Sequence, residues 1–254
     1  MRVLVTRPDP GGARTAARLA LSGHDPVLMP LFEAEVTATP EDLPPVSRIS
    51  GLIATSARAF SLFKASNLLD KAILDVPVHV VGPATAEAAQ LAGFSDIREG
   101  AGAARDLARV LVDSQVRPVS DADKNVPEPE RQHLVYLAGV PRTAAIEAAL
   151  SEAGAAFSVL ECYRMVEMSY STDILISGIL SPPPDVVLLY SANAARRLVA
   201  LLEAKGLGNT LDLARFICLS EAIMTELPAG WRARAIAADH PDEDRLLASL
   251  DALG

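Results

Sequence analysis

Short apolar runs alternate along the chain with longer stretches in which apolar residues recur every three or four positions. The short runs are bounded by turn-forming residues and predict β-strands, whereas the longer stretches predict amphipathic helices. The predicted strands are Arg2–Val5, Gly51–Ala54, Val78–Val81, Asp96–Arg98, Leu134–Leu137, Val186–Tyr190, Phe216–Leu219 and Ala233–Ala237. The predicted helices are Gly12–Leu21, Ala57–Ala65, Ala84–Leu91, Ala103–Val112, Thr143–Glu152, Ala192–Glu203, Ala222–Leu227 and Asp242–Leu250. This alternation is typical of βα units that form a parallel sheet.

The chain contains an internal repeat. The segment GLIATSARAFSLF matches VVLLYSANAARRL, with Ser56 opposite Ser191. A second pair, HVVGPATAEAAQLAG and FICLSEAIMTELPAG, places Gly82 opposite Ser220. A third pair, DIREGAGAARDLARVL and RAIAADHPDEDRLLASL, places Asp106 opposite Asp244 with the same step from the second pair. A fourth pair relates residues 1–32 to the segment that ends at Tyr163. Four units therefore occur twice, which predicts two domains of the same architecture.

The order of the repeated units predicts that one domain is inserted into the other. The first unit stands at the start of the chain, but its three companions follow only after residue 185. Because a βα unit cannot bury its sheet face alone, each set of four must form its own core. We therefore expect a discontinuous domain at residues 1–35 and 168–254, with a second domain at 36–167 that includes the linker strands. The predicted fold is α/β, with two similar Rossmann- or flavodoxin-like parallel-sheet domains.

The two segments that cross between the predicted domains have the composition of β-strands. PLFEAEVT and FSVLECYRMVE are rich in Val, Phe, Leu and Tyr, residue types that favour strands. They are expected to pair as a two-stranded β linker. Such a linker would act as a hinge and let the domains close on a ligand.

Composition narrows the classes of partner. A net charge of −9 and 4% aromatic residues argue against binding to nucleic acid or to an anionic membrane. No apolar stretch reaches membrane-spanning length, and the N-terminal residues do not resemble a signal peptide, so a cytoplasmic protein is expected. Cys162 and Cys218 lie in apolar runs and are interpreted as buried thiols. The four histidines are scattered and predict no zinc site: His24, His79, His133 and His240.

Candidate site residues follow the predicted strands. Ligands of parallel α/β sheets bind beyond the carboxyl ends of the strands. The residues at those ends are mostly small or carry hydroxyl groups: Thr6-Arg7, Thr55-Ser56, Gly82 to Thr85, Ala138-Gly139, Tyr190-Ser191 and Ser220. Such residues let backbone N–H groups approach an anion, although each Ser or Thr can equally be a helix N-cap. The sequence has neither a dinucleotide fingerprint nor a phosphate-binding lysine loop, which favours a flexible anionic ligand without a cofactor.

The strand-end segments VLVTRP, ATSARA, VVGPATAEAAQLAGF, LAGVPR and CYRMVE resemble the sparse signature of the uroporphyrinogen-III synthase family. The resemblance extends over essentially the whole chain. It implies conversion of hydroxymethylbilane into uroporphyrinogen III, with loss of water, ring closure and inversion of the last pyrrole ring. The resemblance also implies that neither a metal nor an organic cofactor takes part.

The same resemblance suggests roles for single residues. Tyr163 matches the family's linker tyrosine, a candidate acid for the departing hydroxyl; the alternative is a packing role between domains. The hydroxyls that match the family's cleft are Thr55, Ser56, Thr85 and Ser191. Arg7 and Arg142 are expected to bind substrate carboxylates, with surface ion pairing as the alternative. The remaining predicted substrate-binding residues are Gly82, Gly139 and Ser220.

The second half of the repeat departs from the family pattern. Ser220 replaces a glycine, and Ile223 stands opposite Thr85, so that a hydroxyl is missing there. Glu221 would repel substrate carboxylates if its side chain faced the cleft.

Two other functions compete with the synthase interpretation. A non-catalytic, hinged small-molecule binding protein would share the architecture but would usually carry an export signal. A two-domain glycosyltransferase would need a larger chain and a nucleotide-sugar site. As a synthase, the protein is expected to be a monomer that receives its substrate from the preceding deaminase.

Overall fold

The computed structural model describes residues 1–63, 71–100 and 133–252. The chain divides into two compact units, of which unit 1 comprises Met1–Glu33 with Val166–Gly254 and unit 2 comprises Ala34–Met165. The predicted helix Ala103–Val112 and the end of the predicted helix Ala57–Ala65 lie outside the described residues.

The described strands and α-helices are numbered here in chain order. The strands are β1 (Arg2–Val5), β2 (Asp25–Leu28), β3 (Phe32–Val36), β4 (Ile49–Ala54), β5 (Val78–Val80), β6 (Ile97–Glu99), β7 (His133–Val140), β8 (Phe157–Glu167), β9 (Val186–Leu189), β10 (Arg215–Cys218) and β11 (Ala235–Ala237). The helices are α1 (Gly11–Leu21), α2 (Pro83–Leu91), α3 (Ala145–Glu152), α4 (Ala192–Ala204), α5 (Glu221–Met224), α6 (Ala229–Arg232) and α7 (Glu243–Asp251).

Unit 1 is a parallel sheet with helices on both faces. Its strand order is β2-β1-β9-β10-β11, and every adjacent pair is parallel. Leu19 of α1 and Leu246 of α7 pack with Val5 on one face. Leu198 of α4 and Trp231 of α6 belong to the core on the opposite face, where the Trp231 ring stacks on Phe216.

Unit 2 has the same order of strands across its sheet, but its βα segments follow one another in a different order along the chain. Its described strands run β3-β8-β7-β4-β5-β6, and the five from β8 to β6 are paired in parallel. Order β8-β7-β4-β5-β6 corresponds strand for strand to β2-β1-β9-β10-β11, as the sequence repeat requires. The rings of Phe60, Phe63 and Phe94 pack together in its core. The predicted α/β fold with two parallel-sheet halves is thus confirmed.

The crossing segments form β3 and β8, which are neighbours at one edge of the second sheet. Just beyond β3, the amide N–H of Thr37 donates to the Cys162 carbonyl (2.9 Å). At the other end, the Met168 N–H donates to the Leu31 carbonyl (3.0 Å). Their function as a hinged linker stays a prediction.

Several elements differ from the sequence-based expectation. The predicted helix from Ala57 is a 3₁₀ helix, Ala57–Phe63, over its described length. The predicted helix Ala222–Leu227 ends earlier, at Met224. Pro228 lies four residues further on and disfavours helical backbone at the residue before it, so α6 follows as a separate turn. Strand β2 was missed because it is short and contains Pro26, which the edge of a sheet tolerates.

Candidate functional site

Each sheet has a point at which the chain direction across the sheet reverses. In unit 1 this point lies between β1 and β9, and in unit 2 it lies between β7 and β4. Open α/β sheets bind ligands in the crevice outside the carboxyl ends of such strands. Predicted site residues lie at or just beyond the carboxyl ends of all four strands, with Gly139 still within β7 at its carboxyl end: Arg7, Ser191, Gly139, Arg142, Thr55 and Ser56.

Arg7 is the centre of a polar cluster in unit 1. Its guanidinium carbon lies 4.5 Å from the centre of the Tyr190 ring, within the range of a cation–π contact. One of its terminal nitrogens forms a 3.0 Å ion pair with Oε1 of Glu243. The Thr15 hydroxyl hydrogen-bonds to the same carboxylate oxygen and lies 3.4 Å from the Tyr190 hydroxyl. Burial raises the pKa of Tyr190, so this phenol stays protonated at neutral pH.

Two glycines make room for Arg7. A Cβ atom at Gly11 would lie 2.5 Å from Nε of Arg7, and one at Gly12 would lie 2.7 Å from the Arg7 carbonyl oxygen. Both separations are too short for non-bonded contact. The sequence PDPGG after Arg7 therefore allows helix α1 to begin directly beneath the guanidinium.

The serines predicted for unit 1 occupy helix N-termini. Ser191 is the N-cap of α4, and its Oγ accepts a hydrogen bond from the Ala194 N–H (3.1 Å). Ser220 stands at the equivalent position before α5, without a side-chain capping bond. Glu221 is exposed, whereas Ile223 is buried in the core. The capping alternative therefore describes Ser191, whose hydroxyl already has a partner.

In unit 2, Thr55 pairs with a buried tyrosine. Oγ1 of Thr55 lies 3.2 Å from the hydroxyl oxygen of Tyr136 on the neighbouring strand β7. Tyr136 is 2% exposed, and burial raises its pKa. Ser56, the next residue, accepts a hydrogen bond from the Arg58 N–H (3.3 Å). Thr55 and Ser56 are both half-buried, so part of each side chain stays accessible.

Arg142 follows β7 and bridges two carboxylates. Its Nε donates to Oε1 of Glu147 at 2.7 Å, and a terminal nitrogen donates to Oε1 of Glu161 at 2.8 Å. The hydrogen bond with Glu161, followed by that with Glu147, raises the pKa of the guanidinium. Arg142 thus forms the ion pairs that the alternative interpretation predicted, and about a quarter of its side chain stays exposed.

Tyr163 and Gly139 are brought together by the pairing of β7 with β8. They stand opposite each other in the register. A Cβ atom at Gly139 would lie 2.2 Å from Cζ of Tyr163, so the phenol ring packs directly over the glycine backbone. The Tyr163 side chain is half-buried and packs at the margin of the unit 2 core. The two predicted residues therefore form one structural feature.

Gly82 and Thr85 begin helix α2. Gly82 is the N-cap with extended backbone (φ −171°), and a Cβ atom placed there would have no neighbour within 4 Å. The Thr85 N–H donates to the Gly82 carbonyl oxygen (3.0 Å). The Thr85 side chain is only 7% exposed, which places it inside the turn, whereas Gly82 is half-buried beside open space.

The thiols and possible metal ligands form no further site in the described ranges. Cys162 and Cys218 are free and buried, and burial raises the pKa of each thiol to about 12. Within residues 1–63, 71–100 and 133–252, no cluster of three or more His, Cys, Asp or Glu side chains could hold a metal ion. No helix in these same ranges is long and apolar enough to cross a membrane.

Comparison with known proteins identifies the family. The model of the family described as uroporphyrinogen-III synthase HemD matches residues 13–248. The chain belongs to this family. Its role accordingly lies in tetrapyrrole (haem) biosynthesis, and the family assignment does not favour a non-catalytic binding protein. No curated protein matches the chain significantly.

Solved structures of uroporphyrinogen-III synthases share the fold. The enzyme from Helicobacter pylori is 15% identical, with a TM-score of 0.63 and full coverage of both chains. A mutant of the Thermus thermophilus enzyme is 19% identical, with a TM-score of 0.54 over 100% of this chain and 97% of that one. At such low identities the similarity concerns the fold, and side-chain roles must be argued from this chain.

Tyr136 and Glu243, which belong to the polar clusters, were not among the candidate site residues. Tyr136 lies within a predicted strand, where a single phenol among aliphatic neighbours in HLVYLAG was the available signal. Tyr190 was named as the last residue of a predicted strand, but the family resemblance suggested no role for it. Glu243 stands more than 230 positions after Arg7, and only the packing of α1 and α7 on the same face of the sheet brings the two together.

Proposed function

We propose that this chain is a hydro-lyase that cyclises hydroxymethylbilane to uroporphyrinogen III, with loss of water and inversion of the last pyrrole ring. The observation that carries the proposal is the family match over residues 13–248, which includes parts of both units. Polar side chains at the carboxyl ends of the strands in each unit support it, because a long, flexible anionic substrate needs several separate contacts.

Departure of the hydroxymethyl oxygen as water requires a proton. In the proposed mechanism the Tyr163 hydroxyl donates it, and loss of water leaves an azafulvenium cation that closes through a spiro intermediate. The proton released when the pyrrole ring regains its aromaticity returns to the Tyr163 phenolate. The role is supported by two features: the ring is held over Gly139, and among the described residues the Tyr163 hydroxyl makes no hydrogen bond that would compete with the substrate. Beyond this proton transfer, the task of the protein is to fold the substrate so that the substituted ring carbon attacks.

The substrate carboxylates are proposed to bind the two arginines. Arg7 and Arg142 each keep about a quarter of the side chain exposed, and a guanidinium can bind a second carboxylate on its free edge because it carries five N–H donors. The hydroxyls and backbone donors proposed to complete the site are Thr55, Ser56, Gly82, Thr85, Gly139, Ser191 and Ser220.

The direct test uses hydroxymethylbilane made enzymatically. Spontaneous closure yields the type I isomer, so we expect the purified protein to produce mainly the type III isomer, in proportion to enzyme concentration. The isomers are separated chromatographically after oxidation to porphyrins. Exclusive formation of type I at every enzyme concentration would contradict the proposal.

Gly82→Ala tests whether substrate approaches the backbone at the start of α2. We expect an unchanged melting temperature, because the added methyl group meets nothing within 4 Å and the backbone is extended. The methyl group would occupy space proposed for substrate, so KM is expected to rise roughly threefold to tenfold. Steady-state kinetics provide the measurement, with Gly208→Ala, at another open glycine, as the control. Equal KM values for both variants would remove Gly82 from the proposed site.

A cytoplasmic location, a monomeric state and delivery of hydroxymethylbilane by the preceding deaminase belong to the same proposal. The buried free thiols Cys162 and Cys218 suit a reducing compartment. The instability implied by spontaneous closure of the substrate favours prompt transfer from the enzyme that makes it.

A further inference from the structure

Glu243 is the carboxylate that holds Arg7 at the switch point of unit 1. Oε1 of Glu243 pairs with Arg7 at 3.0 Å, while its Oε2 lies 3.8 Å from a terminal nitrogen of Arg18. Within the described part of the chain, it is the one carboxylate within ion-pair distance of Arg7. Both side chains of this pair are about a quarter exposed, so ions from solution can still reach them.

The position of Glu243 is fixed from two directions. It is the first residue of α7, whose N-cap Asp242 accepts a hydrogen bond from the Arg245 N–H (2.8 Å). The Thr15 hydroxyl, on helix α1, bonds to its Oε1. Because two separate helices hold the carboxylate in place, it stays beside Arg7 without having to be ordered by a ligand.

A substrate carboxylate that binds Arg7 therefore meets a guanidinium that is already paired with the negative charge of Glu243. We propose that Glu243 is a counter-ion that weakens the binding of a carboxylate to Arg7 and so sets the affinity of the unit 1 crevice for its anionic substrate and product. This inference rests on the proposed function, since it takes Arg7 as a partner of substrate carboxylates. None of the segments that resemble the family includes Glu243, and the geometry alone assigns its role.

The physical consequence is a compromise between binding and release. Two carboxylates that share one guanidinium repel each other, so the Glu243 charge opposes the incoming group. Without that charge, Arg7 would bind the carboxylate more tightly and product would leave more slowly. The stacking on Tyr190 and the close fit over Gly11 would keep the guanidinium oriented in either case.

Glu243→Gln removes the charge and keeps an oxygen that can accept the Thr15 hydrogen bond. The probe is uroporphyrin I, which carries acetate and propionate side chains of the kind found on the substrate, titrated by fluorescence. We expect its Kd to fall roughly fivefold, the scale of one partly exposed ion pair, and KM for hydroxymethylbilane to fall by a similar factor. Glu203→Gln makes the same change in net charge at an exposed position on α4 and should leave both constants unchanged.

The double variant Arg7→Gln with Glu243→Gln tests whether Glu243 changes Kd through its ion pair with Arg7. If Glu243 acts through Arg7, adding Glu243→Gln to Arg7→Gln should leave Kd unchanged. An unchanged or higher Kd in the single variant, or a decrease that persists without Arg7, would overturn the inference. Should Glu243→Gln fold poorly, Glu243→Ala removes the same charge, and the same decrease in Kd is required. Because the titration needs no turnover, a failure of the isomer assay would be recognised separately.

Discussion

Tyr163→Phe is expected to lower kcat about 100-fold and to leave the melting temperature nearly unchanged, since general acid catalysis contributes at least this factor. The phenol ring would still pack over Gly139, and no hydrogen bond of the Tyr163 hydroxyl is recorded among the described residues, so the fold loses nothing. KM should change little because the proton is needed at the transition state. The measurement is the initial rate of type III formation under saturating substrate.

Gly139→Ala tests the same assignment through position. The new methyl group would lie 2.2 Å from Cζ of Tyr163, and the half-buried ring must swing away from β7. We expect kcat to fall about tenfold to 100-fold, because misplacement of a catalytic group by about 1 Å can cost that much. Gly230→Ala, which adds a methyl group in open space, is the matched control. Full turnover in Tyr163→Phe would remove Tyr163 from the mechanism and reduce it to a packing residue.

His79 is expected to make unit 2 sensitive to acid. It lies in β5, 2% exposed, and burial, aided by the positive charge of Arg98, lowers its pKa to about 4. The ordinary pKa of a histidine is about 6.5, so below that pH His79 is protonated in the unfolded chain but stays neutral in the folded chain. The free energy of unfolding therefore decreases as pH falls from about 6.5 to about 4. The expected loss in unfolding free energy from this residue is roughly 3 kcal/mol.

Urea unfolding between pH 7 and pH 4 measures this effect. Carboxylates also titrate in the range, so the quantity of interest is the difference between the unchanged chain and His79→Leu, whose side chain does not titrate. We expect the pH dependence to be shallower in His79→Leu by roughly the predicted amount. His240→Gln, at an exposed histidine, should retain the full dependence. Identical curves for the unchanged chain and His79→Leu would show that His79 is protonated freely in the folded state.

The local pattern of the sequence predicted most of the regular elements. Apolar runs such as VVLL at Val186–Leu189 are buried on both faces. A short, continuous apolar run of this kind is typical of a strand in a parallel sheet. Where turn chemistry competes, the pattern was less informative. The 3₁₀ helix Ala57–Phe63 and the break at Pro228 depend on packing and on backbone restrictions that hydrophobic periodicity does not reveal.

The candidate site was predictable where it is made by residues adjacent to strand ends. Thr55, Gly139 and Arg142 could be named because a strand end is visible in the sequence. The sequence could not predict which charged side chains already form ion pairs with each other. Arg142 contacts Glu161 from another strand, and Arg7 contacts Glu243 from the last helix; such distant partners follow from the order of strands in the sheet.

By itself the sequence determined the repeated α/β architecture, the family and the strand ends that carry the polar residues, because hydrophobic period, repeats and motif order are visible along the linear chain without knowledge of its contacts. Tertiary structure alone decided that the Tyr163 ring lies over Gly139 and that Glu243 sits beside Arg7. Register across β7 and β8 sets the first contact, and the packing of α1 and α7 on the same sheet face sets the second. Both depend on contacts between distant segments, and a single sequence carries no direct signal for them.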